Sequence, residues 1–357
     1  MNSIQQKLFQ LEDISQLEAQ QIFTQLIKGE LSEVEMTSLL VSLKMKKEQP
    51  QEIAGAAQAL RENAISFAQT NYQTADSCGT GGSGMNTVNI STMVAFVLAE
   101  IGLPMVKHGN RSISSKCGSA DVLEHLGIKV DMDAQQAKQC LDETNFCFLF
   151  APLYHPGVGH IMPIRNQLKT RTIFNLLGPL INPASPDFQL MGTYSEELCQ
   201  PAAHSLMLSG CQSAMVVHSN GYDEITLHSP TKVVELKNKK MQSRTLTHND
   251  FGLPKCHETD IAGDTPELNA RLFVDVLKGH FSEPKRLAIA YTVAANAAAL
   301  LKISGRVDDL KNGARQALDI LESGHANNRL NQVIRFSRKL KSALLEEKVL
   351  TSQLNNE

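Results

Sequence analysis

Residues 78–119 read CGTGGSGMNTVNISTMVAFVLAEIGLPMVKHGNRSISSKCGS. Four glycines fall within six residues, at Gly79, Gly81, Gly82 and Gly84. Without Cβ atoms in the way, backbone amides there can approach a phosphate closely. Asn89-Ile90-Ser91-Thr92 follows and opens an apolar helix, a place where hydroxyls and unpaired amides coincide. A short strand at Met105–Val106 leads into Lys107, His108, Gly109, Asn110, Arg111 and Ser112, and a second helix begins after Gly118-Ser119. Glycine loop, helix, strand, basic loop and helix describe an α/β sheet whose strand ends carry a ligand site.

The loop also fits G-x-G-x-x-G at Gly79, Gly81 and Gly84, with Glu100 where a ribose-binding acid could stand. That reading is set aside. Gln73-Thr74-Ala75-Asp76 reads as a poor strand, and the helix starts near Ser91 rather than at the third glycine. No G-K-[ST] follows, so the loop is not a P-loop. Taken alone, the glycines also fit a surface turn, and Ser91-Thr92 fits a plain helix cap.

Outward from this stretch the texture changes. The first 65 or so residues read as helices only. Ser15 with Glu18 and Ser32 with Glu35 have capping-box spacing, and each is followed by an apolar stripe: Ile22, Phe23, Leu26 and Ile27, then Met36, Leu39, Leu40 and Leu43. Gly29 suits a C-cap, and Pro50 opens a helix expected to run to about Phe67. β-rich runs at Phe146–Phe150 and Ala214–Val217 continue a mostly parallel sheet, and the end is helical again from Pro284, Val307 and Asn328. The expected fold is α/β, with a small all-helical domain over 1–68, joined by part of 165–190, and a large α/β domain over 69–357.

Thirty-four Lys and Arg against thirty-seven Asp and Glu leave a net charge of −3, so a general nucleic-acid binder is not expected and an anionic ligand needs local positive groups. Acids are sparse in two tracts. Only Glu100 lies between Asp76 and Asp121, and none lies from Thr144 to Pro186. The same tracts hold Lys107, His108, Arg111, Lys116, His155, His160, Arg165, Lys169 and Arg171, which is the charge pattern an anion site needs. Asp223-Glu224, in a turn before an expected β run, fits a solvated hairpin turn and equally Mg²⁺, a hard ion that bridges carboxylates to substrate phosphates. Seven cysteines without C-x-x-C, no signal-peptide pattern at the start and no long apolar run point to a cytoplasmic protein without membrane association. G-x-S-x-G and H-E-x-x-H are absent, so chemistry by positioning and charge neutralisation is expected.

GTGGSG (79–84), NIST (89–92), KHGNRSISSKCGSADVLEHLG (107–127), RTIFNLLGPLINPA (171–184) and YDEITLHSPT (222–231) resemble the anthranilate phosphoribosyltransferase family, and GELSEVEMTSLLVSLKMKKEQPQEIAGAAQAL (29–60) is similar to its helical lobe. The resemblance implies transfer of phosphoribosyl from 5-phosphoribosyl 1-pyrophosphate to anthranilate in tryptophan biosynthesis, with Mg²⁺ as cofactor. It also implies a nucleoside-phosphorylase-like architecture and a homodimer through the helical domains. It assigns Gly79, Gly82, Ser83, Thr87, Asn89, Ile90, Ser91, Thr92, Lys107, His108, Gly109, Asn110, Arg111, Ser112, Ile113, Ser114, Ser115 and Ser119 to the donor. Gly79, Asn110 and Arg165 fall to anthranilate, with His108, Tyr154 and Pro179 along its slot, and Ser91, Asp223 and Glu224 fall to the metal. Three positions depart from the family pattern: Ser83 replaces the usual Asp, Cys117 a common Ser, and Gly159 a frequent basic residue. A nucleoside phosphorylase on the same fold is the enzymatic rival. A non-catalytic nucleic-acid binder would have only Lys237-Asn238-Lys239-Lys240 in its favour, and that stretch reads better as a hairpin turn.

Overall fold

The computed structural model describes residues 3–82, 84–112 and 116–354, with side chains up to 342. Both predicted capping boxes form: the Ser15 hydroxyl accepts from the Glu18 amide, and the Ser32 hydroxyl from the Glu35 amide. The helices they open, Gln16–Ile27 and Glu33–Lys46, bury the predicted stripes. Gly29 follows the first with φ +71°, the left-handed turn that glycine supplies there. Pro50 starts a helix that ends at Glu62, five residues short of the expected Phe67. Asn63 closes it by donating its side chain back to the Ala59 carbonyl.

A seven-stranded sheet forms the centre: β1 Ala75–Gly79, β2 Met105–Gly109, β3 Phe146–Phe150, β4 Phe188–Gly192, β5 Ser213–His218, β6 Thr231–Lys237 and β7 Lys240–Leu246. Their order is β3-β2-β1-β4-β5-β6-β7; the first five are parallel and the last two antiparallel. Asn238 and Lys239, both at positive φ, turn β6 into β7, so the basic stretch is the tight hairpin its composition suggested. The chain builds outward from β1 through β2 to β3, then returns to lay β4 on the other side of β1. That reversal opens a crevice above the ends of β1 and β4.

β1 corrects the sequence reading, which found no strand before the glycine loop. Asp76 and Ser77 lie in a central strand buried on both faces: the Asp76 carboxylate accepts from Asn182 and faces the charge of buried Lys107, whose Nζ donates to the backbone carbonyl of Ser77. Polar residues in a core strand look unfavourable only until those partners are known. The β run expected after Asp223-Glu224 is β6, which begins at Thr231 once the irregular residues 225–230 have passed. The last two helices start at Leu310, capped by Asp309, and at His325 rather than at Val307 and Asn328.

The two faces of the sheet feed different cores. Leu190, Met215, Val217 and Val233 pack with the helices Ile90–Ile101 and Pro284–Ile303. Met191, Ala214, Val216 and Val234 pack with the N-terminal helices and with Ile161 to Ile181. The alternation along β5 therefore places the helical lobe on one side of the sheet. Pro284–Ile303 has the length and hydropathy of a membrane span, but most of it is buried as a core helix.

Candidate active site

The site forms where the crevice opens. At the end of β1 a Cβ on Gly79 would lie 2.2 Å from Asp223 Oδ2, and one on Gly192, at the end of β4, 1.6 Å from the Asp223 carbonyl oxygen. These two positions lack side chains so that the turn carrying Asp223 and Glu224 can cross both strand ends. The Gly81 amide donates to Asp223 Oδ2 at 2.8 Å, which joins the glycine loop to that turn.

Lys107 forms the floor. Its side chain is 2% exposed, and its Nζ donates to the Ser77 carbonyl (2.7 Å) and to Ser91 Oγ (3.1 Å), in the first turn of Ile90–Ile101. Behind it lies buried Asp76. One oxygen of Asp76 accepts from Asn182 Nδ2 (2.9 Å), and the other is buried without a partner. Burial pushes the Asp76 carboxyl up and the Lys107 ammonium down, while each opposes the other's shift. Asn182 also donates to the Val106 carbonyl, so one amide ties β1, β2 and the 178–183 segment together.

Asn89 does not cap its helix by side chain. Its amide donates to the Cys117 carbonyl, and its Oδ1 accepts from Asn269. The basic loop closes on Asp121, whose Oδ2 accepts from the amides of Ser112 and Gly118, while the Asn110 carbonyl accepts from Ser119 Oγ. Arg111 and Lys116 are exposed on the rim and already paired, with Glu124 and Asp264. Ser83, Ile113, Ser114 and Ser115 lie outside the described residues. Of the remaining donor assignments, the structure gathers Gly79, Gly82, Asn89, Ser91, Lys107 and the 109–112 turn at neighbouring strand ends, and Thr87 bridges to Ala262 beside them.

Glu224 is pushed up to about 8, first by burial and then by the adjacent carboxylate of Asp223, against a hydrogen bond from Thr87. Its Oε1 is buried without a partner. Two adjacent carboxylates that resist joint ionisation, one with an orphaned oxygen, fit a hard divalent cation. Among the described residues no three His, Cys, Asp or Glu side chains converge, so the remaining oxygens would have to come from Ser91, water or substrate. Ser91 Oγ already accepts from Lys107, which leaves its proton free for an anion.

On the helical-lobe side, Arg165 stands in Met162–Leu168 with its guanidinium 5.4 Å from the Phe174 ring centroid. Burial lowers its pKa, and among the described residues no carboxylate pairs with it. A half-buried, unpaired guanidinium is the group an aromatic carboxylate would complete. His108 Nδ1 meets the Gly178 carbonyl at 3.1 Å, and its ring lies edge-on to His155 at 5.3 Å. Burial drives the two down to about 3 and about 4, so both are neutral. Pro179 sits beside them in a short 3₁₀ turn, its carbonyl accepting from Gln189. Tyr154 is fully buried in the main core, which removes it from any accessible slot. Asp76, Asn182 and Gly192 are site-building residues to which the sequence reading gave no role, and His155 was counted there only among the basic groups of the second acid-poor tract. Only the position of Asp76 at the edge of the acid-poor tract hinted at one.

Comparison with known proteins agrees with this geometry. Residues 71–327 match the family model described as the α/β domain of a glycosyl transferase family, and residues 2–64 match its helical bundle domain. Anthranilate phosphoribosyltransferase of Pseudoalteromonas translucida is 48% identical over 338 residues, covering 94% of each chain. That of Pectobacterium carotovorum is 48% identical over 92% of each. The crystal structure of the Thermus thermophilus enzyme superposes with a TM-score of 0.89 at 37% identity, over 94% of this chain and all of that one. The Saccharomyces cerevisiae enzyme in complex with PRPP and Mg superposes at 0.86 and 26% identity, covering 94% and 97%. With that breadth of match over both the helical lobe and the sheet, the chain belongs to the anthranilate phosphoribosyltransferase family.

Proposed function

We propose that the cleft above β1 and β4 holds 5-phosphoribosyl 1-pyrophosphate and that anthranilate enters between it and Arg165. The observation that carries this reading is the meeting of the Gly81 amide, Asp223, Ser91 and the buried Lys107 ammonium at neighbouring strand ends. In the reaction the ribose C1 loses its bond to the pyrophosphate oxygen, which leaves with the electron pair. The anthranilate nitrogen bonds to C1, and its proton passes to solvent. That nitrogen is already nucleophilic, which agrees with a site whose two histidines are held by burial at pKa values of about 3 and about 4, too low for effective bases. Lys107 and the amides of the glycine loop and helix start favour the charge that grows on the leaving group. Bound at Asp223 and Glu224, with Ser91 nearby, Mg²⁺ would neutralise diphosphate charge. Arg165 holds the anthranilate carboxylate, and Asn110 and Gly79 line the same pocket. The GPLINP segment, residues 178–183, is the proposed hinge. Its Leu180 carbonyl is held by Arg61 of the helical lobe, and Asn182 by Asp76 of the sheet, so lobe closure would act across it.

The test is loss of anthranilate fluorescence on mixing the protein with donor and Mg²⁺. Turnover that stops on chelation, with Arg165→Ala raising the anthranilate KM about tenfold or more and the donor KM far less, is the expected result. No turnover above a protein-free control rejects the function, and the opposite KM pattern exchanges the two pockets.

A homodimer through the helical lobe is supported by exposed Phe9, Leu11, Leu17, Val34 and Met45, which lie on the first three helices and the turn after the first. Sedimentation at twice the chain mass is expected, and a monomer at micromolar concentration would end that reading. A cytoplasmic location fits seven cysteines that are all free.

A further inference from the structure

Arg171 belongs to the second acid-poor tract and has no part in the site described above. It is exposed, and among the described residues it forms no ion pair. Its guanidinium lies 4.3 Å from the Tyr194 ring centroid, and its Nη2 donates to the carbonyl oxygen of Gly82. Three further contacts fix this arrangement. The Tyr194 amide donates to Thr80 Oγ1 at 3.0 Å, the Thr80 amide to the Gly192 carbonyl at 2.9 Å, and Lys44 of the helical lobe to the Arg171 carbonyl at 2.9 Å. Arg171 therefore connects the helical lobe to the glycine loop, with Tyr194 as the surface on which it lies.

A loop that binds an anion through its backbone must present amides and turn its carbonyls elsewhere. Gly81 and Gly82 at φ +64° and +69° have backbone freedom that most residues lack, and such freedom by itself does not choose between the two faces of the peptide. A carbonyl held by a cationic planar donor is not free to swing toward a diphosphate. We infer that Arg171 is a positioning residue for the donor: stacked on Tyr194, it captures the Gly82 carbonyl and so sets the glycine-loop amides toward the diphosphate. This rests on the donor reading of the cleft.

The test is steady-state kinetics of wild type, Arg171→Ala, Arg171→Lys and Tyr194→Leu, with pyrophosphate binding measured by calorimetry alongside. Arg171→Ala should raise the donor KM about tenfold and weaken pyrophosphate by a similar factor, leaving kcat and the anthranilate KM within about twofold. Lysine keeps the charge but not the planar stack, so Arg171→Lys should recover only part of the loss. Tyr194→Leu should move the donor KM in the same direction by a smaller factor. A wild-type donor KM in Arg171→Ala overturns the inference, as does an equal rise in both KM values, which would mark a general loosening of the lobes. Should the alanine variant fail to fold, a donor KM in Arg171→Lys equal to wild type overturns it. A wild-type protein that turns over nothing removes the donor reading itself, a different failure from active wild type with an indifferent Arg171.

Discussion

The floor and the rim of the cleft both carry positive charge, but in different physical states. On the floor, Lys107 is buried against buried Asp76, and its ammonium is spent on Ser77 and Ser91. On the rim, the side chains of Arg111 and Lys116 are 49% and 63% exposed and paired with Glu124 and Asp264 across solvent. A buried charge keeps its strength because water does not screen it, whereas exposed pairs contribute little and fade with salt. The floor pair is also directional. Asp76 lies three residues back from the end of β1, while the lysine nitrogen reaches the helix start, so the positive end points at the cleft. Fixed charge set into the fold and movable charge around its mouth do different work.

The most severe test of that contrast removes the floor. Lys107→Met should lower kcat/KM by about a hundredfold or more and cost about 3–5 kcal/mol of stability, since Asp76 loses its countercharge. Pairing it with Asp76→Asn should return most of the stability and little of the activity, read by denaturant midpoints and initial rates. A double variant that regained both would mean that the floor charge serves folding only.

A second test uses the neutral histidines beside the floor. The His108 and His155 pKa values fall to about 3 and about 4 by burial, so the unfolded chain binds more protons than the folded one below about pH 6.5. Stability from these groups is therefore complete above that pH and declines as pH falls toward their folded values, by about 2 kcal/mol per histidine at pH 5. Glu224, raised to about 8, tilts the profile the other way, with stability falling as pH rises through that range. The measurement is thus a difference: the slope of unfolding free energy between pH 7 and 5 should be shallower in His155→Asn than in wild type. Equal slopes would mean that His155 takes up its proton without loosening the fold.

How far the sequence foretold this site depended on whether a residue acts through its neighbours in the chain or across the fold. Ser15 with Glu18 and Ser32 with Glu35 were legible because a capping box is complete within four residues. The glycine loop, the basic loop and the Asp223-Glu224 turn were legible as compositions, and the family resemblance supplied their ligands. β1 was not legible. Asp76 reads as a strand breaker until two groups distant in sequence are seen: Asn182, which donates to one of its oxygens, and Lys107, whose buried ammonium opposes its charge. Gly192 was equally silent, because its reason is the Asp223 carbonyl pressed against it. Tyr154 differs in the opposite direction: the resemblance placed it along a slot, and the fold puts the whole ring inside the core.

The smallest expected effect is on the rim. Arg111 lies over the Phe150 ring at 5.0 Å and is engaged by Glu124, so deleting it removes an exposed pair and leaves a glutamate that water can solvate. Arg111→Ala should raise the donor KM by no more than about threefold at physiological salt, and by more at low ionic strength, where screening is weak. Glu124→Gln separates two accounts of the rim. If Arg111 stays on Glu124 throughout, losing the glutamate changes the donor KM little. If Arg111 leaves Glu124 to clasp the diphosphate, freeing it should lower that KM, and Arg111→Ala should then cost tenfold or more. That second pattern would make the rim a moving arm whose charge is withheld by a salt bridge until the donor arrives, and the distinction between fixed floor and weak rim would give way to one between permanent and released charge.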